Sequence, residues 1–478
     1  MNDCRNIFIR KAHILLLLSL LVGVAMSSCI SDEITDSPSA TLEFSTDTVS
    51  FGTIFTDLNT PTARLQVFNH NSKGVMISSI KFKNPDTPFR LNVDGVSGSS
   101  FSDVEIRGND SIYVFMECFI DADEAREPQR YADQLEFITN GVTQEVEVEA
   151  LAWNVTRLYS FSVEEDMTFT AERPYIIFDT LTVQPNVTLS IDPGAWLLFH
   201  DKAAMKVKGT LLAIGETENF IRMSGDRLDD ILPDVPYDQL AGQWGGIDIE
   251  AESFGNRMEF VNMRSTVSGL RVDSCGDLSK NKLTLVNSWL HNSQGSVLSS
   301  EYSVVNAYGC CFSEAAGNVV RLIGGSHDFV QCTIANAYLF SSLFLPNLYL
   351  GHCLPQEAEN NPDNPNPLMS ANFENGIVWG EIGSPIEPGD LIGSNVYMLN
   401  MLFKANGTDD ENFINCLWNE DPLFYTIRED YYFDYRLQPE SPALGAGNPA
   451  FVTPECLYDM DGLYRLANGA PALGAYAD

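Results

Sequence analysis

Several residues have the side chains that acid–base chemistry on a sugar would need. Asp226, Asp229, Asp230, Asp234 and Asp238 lie close together in the chain, beside Arg222 and Arg227. A base set against calcium-binding carboxylates could remove a proton next to a sugar carboxylate. The stretch also contains Pro233 and Pro236, so it reads as a solvated loop between strands rather than one face of an element. Hydrolysis of a glycosidic bond needs two carboxylates a few ångströms apart, and Asp229-Asp230 is the paired candidate, again off any recognisable strand. In Ser326-His327-Asp328 the residues are consecutive and cannot fold back into a triad; His327 is expected at a surface corner. Asp459-Met460-Asp461-Gly462 starts like a calcium loop but lacks the later acidic positions and reads as a turn. There is no CxxC pair and no histidine cluster with zinc spacing. No metal or catalytic residue is therefore assigned and no cofactor is expected; calcium is the ion such carboxylates could take.

The elements that would position any site come from a repeat of 22 residues. Val286-Asn287-Ser288-Trp289-Leu290, Tyr308-Gly309-Cys310-Cys311-Phe312 and Val330-Gln331-Cys332-Thr333-Ile334 align at that offset, and Gly295 and Gly317 share a place in the first two copies. A fixed period of this size means stacked supersecondary units. Read as five-residue strands, the first, third and fifth positions point inward. Small residues (Ser288, Cys310, Cys332) then stack on small and large ones (Leu290, Phe312, Ile334) on large, each coil about 4.8 Å from the last. Cys353 follows Cys332 on the same column, as a small buried thiol, and Cys311 points the other way. Trp289 is turned outward on the face that carries Asn287 and Thr333. An exposed indole on a flat β-face can stack on a sugar or bury in a protein interface, so Trp289, Asn287 and Thr333 are the candidate ligand-binding residues. The Asn- and Pro-rich excursion from Pro355 to Pro367 could form a lip over such a face.

Residues 41–155 have a different rhythm. Leu42-Glu43-Phe44, Arg64-Leu65-Gln66-Val67-Phe68 and Glu145-Val146-Glu147-Val148 alternate apolar with polar, as half-buried strands do. Asn140-Gly141 is a strong hairpin signal. About seven short strands suit a β-sandwich. Phe51-Gly52-Thr53-Ile54 followed by Leu65-Gln66-Val67-Phe68-Asn69 resembles the opening of immunoglobulin-like modules of the ASH kind.

At the start of the chain Arg5, Arg10 and Lys11 precede an apolar run from Ile14 to Met26 that ends in Met26-Ser27-Ser28-Cys29. This pattern is that of an export signal, and the run is short for a membrane span. It resembles a bacterial lipobox, in which the cysteine is acylated, with palmitate among the expected chains. Ile30-Ser31-Asp32-Glu33 resembles the acidic tag that carries lipoproteins to the outer face of the outer membrane in one group of Gram-negative bacteria. Lipidation is thus expected at Cys29, after a signal peptide of residues 1–28 and before a tether of residues 29–40. The full chain carries 28 basic and 65 acidic residues, net −37. Loss of residues 1–28 removes three basic residues and one acidic, leaving a net of −39. Nucleic acid is excluded as a partner on this charge.

The second half, residues 156–478, resembles a right-handed parallel β-helix of the pectate-lyase-like superfamily. The resemblance rests on Leu189-Ser190-Ile191-Asp192-Pro193-Gly194, Gly209-Thr210-Leu211-Leu212-Ala213-Ile214-Gly215 and Gln243-Trp244-Gly245-Gly246-Ile247. It rests also on an ending in Ser441-Pro442-Ala443-Leu444-Gly445-Ala446-Gly447 and Leu473-Gly474-Ala475-Tyr476. At 22 residues per coil this implies about 12 to 14 coils. The polygalacturonase-like members carry Asn-Thr-Asp, paired aspartates and a Gly-His-Gly stretch, and this sequence has none of those motifs. The expectation is an all-β chain, an N-terminal β-sandwich followed by a parallel β-helix solenoid, lipid-anchored and exposed at the cell surface. Its solenoid would present a binding face for glycans or adhesion to a surface protein. A polysaccharide lyase or glycoside hydrolase is the alternative, and a structural subunit of an envelope assembly the third.

Overall fold

Alternation dominates the N-terminal unit, and its strands bury one side each. The computed structural model describes residues 33–232, 235–352, 368–382, 391–429 and 432–477, so Cys29, Asp234, Cys353 and the Pro355 to Pro367 excursion lie outside the described residues. The chain is all-β, with half of it in strands and 2% helical. It divides into two compact units, one ending at Asp121 and resuming at Arg130–Ala152, the other comprising Ala122–Gln129 and Trp153–Asp478.

In the first unit one sheet runs Ile34–Thr35, Gly74–Phe82, Gln129–Thr139, Val142–Trp153, Thr48–Phe55, with Ser100–Phe101 and Val104–Ile106 also on Gly74–Phe82. The other runs Glu43–Phe44, Ala63–Asn69, Asp110–Cys118, Phe89–Val93, Val96–Gly98. Asn140 and Gly141 both have positive φ, 52° and 79°, which is the hairpin turn their dipeptide requires. Both sheets contribute to one apolar cluster, with Leu65, Val67, Ile77, Ile80, Val114, Phe137 and Val148 fully buried.

The second unit is built from three long sheets of eleven, eight and ten strands, visited in turn. Thr156–Tyr159, Ser162–Val163 and Met167–Phe169 make one circuit, and Tyr175–Phe178, Thr180–Val183 and Thr188–Ile191 the next. Each circuit pairs parallel with the one before. This arrangement fits a β-helix or solenoid. Leu290 pairs with Phe312 and Phe312 with Ile334, and all three lie in the apolar interior.

The register differs from the sequence reading in one respect. Val286, Tyr308 and Val330 end strands of the ten-stranded sheet, and Trp289, Cys311 and Thr333 begin strands of the eleven-stranded sheet. Each five-residue motif therefore spans a corner, and only its third and fifth positions face the interior. The corner is made by a column of residues in the left-handed region: Phe260, Asn287, Gly309, Gln331, Asn375, Asn400 and Asn415, with φ between 41° and 66°. Their amides continue the ladder across the bend, as in Gly309 to the Val330 carbonyl at 2.9 Å and Gln331 to that of Glu374 at 2.9 Å. Asn tolerates this conformation better than most residues. In three successive coils the next residue turns inward and donates to the carbonyl two positions back: Ser288 Oγ to Val286 at 2.8 Å, Cys310 Sγ to Tyr308 at 3.5 Å, Cys332 Sγ to Val330 at 3.4 Å. A small side chain with a donor fits that position in these coils, where Cys310 and Cys332 are free thiols, while Val261, Gly376 and Met401 fill it elsewhere in the column without one. Gly317 stands directly on Gly295, where a Cβ would lie 2.9 Å from the Gly295 carbonyl carbon.

The eleven-stranded sheet ends with Leu417–Trp418. The residues beyond it do not add coils. They form an antiparallel pair, Phe424–Thr426 with Asp434–Leu437, and short 3-10 turns at Pro449–Phe451 and Pro454–Cys456. Phe424, Phe433, Tyr435, Leu437, Met460 and Leu473 cluster with Cys311, Ala335, Ile377 and Leu402, on the outer face of that sheet.

Candidate functional site

The three residues expected to bind ligand are covered by this C-terminal segment. Trp289 does leave the coil interior, but it is half-buried in the outer cluster, and its Nε1 donates to Ser313 Oγ at 2.9 Å. Asn287 and Thr333 are 3% and 1% exposed. The Asn287 amide donates to the Tyr458 carbonyl at 3.1 Å, and Thr333 Oγ1 accepts from the Ala475 amide at 2.9 Å. The same corner column holds the rest of the segment: Asn375 Nδ2 donates to the Asn448 carbonyl at 2.9 Å and Asn400 Nδ2 to that of Ala446 at 3.2 Å. Gly309 leaves the space that the Asn287 side chain uses, since a Cβ there would lie 2.2 Å from its Oδ1 and 3.2 Å from Arg465 Nη2. Outward direction, which periodicity reports, is thus not exposure.

The described aspartates of this stretch, Asp226, Asp229, Asp230 and Asp238, do not form one cluster. Asp226 pairs with His200 at 2.6 Å, Asp229 with Arg227 at 2.5 Å and Asp238 with Arg264 at 2.9 Å. Arg222 lies over the Trp196 ring at 4.2 Å and Arg227 over Tyr237 at 4.0 Å. His327 is not at a surface corner. It is 3% exposed, inside the strand Gly325–Val330, with Nε2 against the Gly324 carbonyl at 2.9 Å, and burial pushes its pKa down to about 4. Asp459 makes a turn, its Oδ1 accepting from the amides of Asp461 at 3.0 Å and Leu463 at 2.8 Å. Among the described residues no three His, Cys, Asp or Glu side chains are grouped to hold a metal ion.

A recess of about 250 Å³ opens where the outer face of the eleven-stranded sheet meets the C-terminal segment. Ala335 pairs with Trp379, and the strands Ile377–Gly380 and Leu402–Phe403 are neighbours, so Ala335, Trp379 and Lys404 look out side by side. Ala335 is small and leaves one side of the indole uncovered; Lys404 Nζ lies 5.4 Å from the Trp379 ring centroid. Asn347 Nδ2 holds the Trp379 carbonyl at 2.8 Å. The opposite wall is Phe424, Ile427 and Tyr435. Arg428, itself at φ 72°, donates to the Ala337 carbonyl at 2.9 Å and pairs with Glu381 at the rim. Lys404 has no ion-pair partner among the described residues. An aromatic plane with cationic and anionic hydrogen-bonding groups around it is the usual furnishing of a small-ligand site.

Behind Tyr435 lies Glu314, 1% exposed and at φ 61°. The Tyr435 hydroxyl donates to its carboxyl, as does the Ala337 amide at 3.0 Å. Burial outweighs these bonds and pushes its pKa up to about 8. Nearby, His291 Nδ1 lies 2.9 Å from Ser313 Oγ, and burial together with Arg264 keeps the ring neutral. Sequence reading missed Trp379 because Thr333 pairs with Ile377, twice the repeat further on, after an insertion that hides the period. The signal was Asn375, which occupies the corner after that insertion as Gln331 does before it.

No family model matches the chain, and no curated protein matches it. Among solved structures it is similar to a protein of unknown function from Porphyromonas gingivalis W83 (10% identity, TM-score 0.19, covering 26% of this chain and 60% of that one). It is similar also to a family 123 glycoside hydrolase from Clostridium perfringens (11%, 0.17, 24% and 26%) and to the alkylpurine DNA glycosylase AlkC from Pseudomonas fluorescens (9%, 0.16, 24% and 30%). The chain spans less than two thirds of each, and at these scores none bears on its activity.

Proposed function

We propose that this chain is a lipid-anchored, surface-exposed outer-membrane protein that binds glycan through the Trp379 recess. On this reading the first unit is an immunoglobulin-like β-sandwich serving as spacer, and the second a right-handed parallel β-helix of the pectate-lyase-like kind. Support for the fold comes from the shared core of the two N-terminal sheets and the cyclic order of the three parallel ones. The observation that carries the binding reading is the partly buried Trp379 ring in the recess wall, flanked by Lys404, Arg428 and Glu381. Aromatic faces stack on sugar rings, and the charged rim supplies hydrogen bonds to hydroxyls and ring substituents. Trp379→Leu keeps most of the packing but loses the plane. In calorimetry against a panel of neutral and acidic oligosaccharides it should weaken binding by about 1 to 2 kcal/mol. Unchanged affinity would sink this site. The anchor rests on the sequence around Cys29: Cys29→Ala should release the protein from membranes on fractionation, and retention would place the anchor elsewhere.

One observation favours a catalytic reading. On the outer face of the ten-stranded sheet, adjacent strands carry Asp328 and Glu374. Burial and then the Asp328 charge push Glu374 up to about 7, and Tyr308 donates to Asp328 Oδ2 at 3.3 Å. Burial raises Asp328 as well, and Glu374 stands two positions further along, opposite Val330; two interacting carboxyls of which one holds a proton are the kind of pair glycoside hydrolysis uses. New reducing ends released by the protein, and abolished by Glu374→Gln, would establish it over simple binding.

A further inference from the structure

The N-terminal unit carries a second recess, on its five-stranded sheet, of about 640 Å³. The strand Asp110–Cys118 sends Val114, Met116 and Cys118 into the core and turns Tyr113, Phe115 and Glu117 out. A strand with one face in water ordinarily carries polar residues there. Here Tyr113 and Phe115 remain 42% and 38% exposed, and their rings stack at 5.9 Å and 20°, a continuous apolar plane. Arg64 and Asn92 stand opposite Phe115 on the neighbouring strands, and Arg90 stands opposite Glu117. Asn92 donates to Ser97 Oγ at 3.1 Å, while its Oδ1, and Thr87 Oγ1 in the same wall, are buried and have no hydrogen-bond partner among the described residues. Arg64 and Arg90 form no ion pair among the described residues, although the chain holds 65 carboxylates against 28 basic groups. Two guanidinium groups without a described carboxylate in ion-pair distance, that of Arg90 standing 5.6 Å from the Phe119 ring centroid, outnumber the one carboxylate of the recess, Glu117, and complement a ligand that brings its own negative charge.

We propose that this recess, together with the strand face beside it, binds an acidic oligosaccharide, with one sugar face on Phe115 and Tyr113 and its carboxylate or sulfate groups on Arg90 and Arg64. The site is separate from the Trp379 recess. The experiment uses the full chain, its Phe115→Ala and Arg90→Ala variants, and Trp379→Leu, titrated with tetragalacturonate, a chondroitin sulfate tetrasaccharide and neutral cellotetraose. We expect an acidic probe to bind, at least fivefold more tightly than cellotetraose, and Phe115→Ala and Arg90→Ala each to weaken it fivefold or more. Their melting temperatures should be unchanged because both side chains lie on the outer face, and Trp379→Leu should leave this binding intact. Binding of tetragalacturonate shows that carboxylates suffice, whereas binding of the chondroitin sulfate tetrasaccharide alone, which carries both groups, shows that sulfate is required. Binding that responds only to Trp379→Leu overturns this proposal and leaves the earlier one standing. No binding of either acidic probe, or equal binding of cellotetraose, overturns it as well.

Discussion

Glu314 shows most plainly what one residue contributes. Its folded pKa, about 8 against an ordinary 4.5, means that the folded chain keeps a proton the unfolded chain gives up. Its contribution to stability is complete below about pH 4.5 and is lost as pH rises through about 8. A tenfold difference in acidity between the folded and unfolded chain corresponds to about 1.4 kcal/mol, so over the whole of that window the loss is at most about 5 kcal/mol. Glu314→Gln keeps the shape and removes the titration. Urea melts at pH 5 and pH 8 should show wild type losing stability relative to the variant; parallel behaviour would mean that the carboxyl is not held protonated. Nothing in the sequence singled out Glu314. Its neighbours along the chain are Ser313 and Ala315, and its partner Tyr435 comes from 121 residues away.

At the scale of the element, the corner after each strand of the ten-stranded sheet sets the register. The alignment of Ser288, Cys310 and Cys332 was legible because one local rule acts on all three: a small donor reaches the carbonyl two residues back. Their inward direction was read correctly for that reason. The preceding Val286, Tyr308 and Val330 were misassigned because strict alternation holds only within a strand, and the chain bends between them. Cys310→Ser should therefore cost less than about 1.5 kcal/mol, since Ser288 already fills the equivalent place, whereas Cys310→Leu should cost about 1 to 3 kcal/mol by overpacking. Chemical denaturation of the two variants tests the ranking, and equal losses would show that the site accommodates bulk.

For the second unit as a whole, the C-terminal segment is a cover and not an ending. Phe424, Phe433, Tyr435, Leu437 and Leu473 shield Cys311, Ala335, Ile377 and Leu402, and buried apolar area of this kind is worth roughly 25 cal/mol per Å². A chain stopped after Glu420 should expose a continuous apolar strip, bind a hydrophobic dye and self-associate in size-exclusion chromatography. A monomer without dye binding would show that the segment is dispensable to the stack. The truncation also removes one wall of the Trp379 recess, so glycan affinity should fall with it.

Much about this protein was determined by its sequence alone. The 22-residue repeat, the stacking of Leu290 on Phe312 and Ile334, the alternation of the first unit and the Asn140-Gly141 hairpin all follow from interactions between residues near in the chain or at a fixed period. Such patterns repeat and can be counted. What only the tertiary structure decided is which outward residues meet water. Trp289, Asn287 and Thr333 share a face by periodicity, yet they lie beneath Tyr458, Ala475 and their neighbours, which return from more than 140 residues further along. Phe115 stays 38% exposed, whereas at Trp379 the same C-terminal segment stops as one wall of the recess, Phe424, Ile427 and Tyr435. Burial of an outer face depends on where a distant, aperiodic segment lands, and no local pattern carries that information.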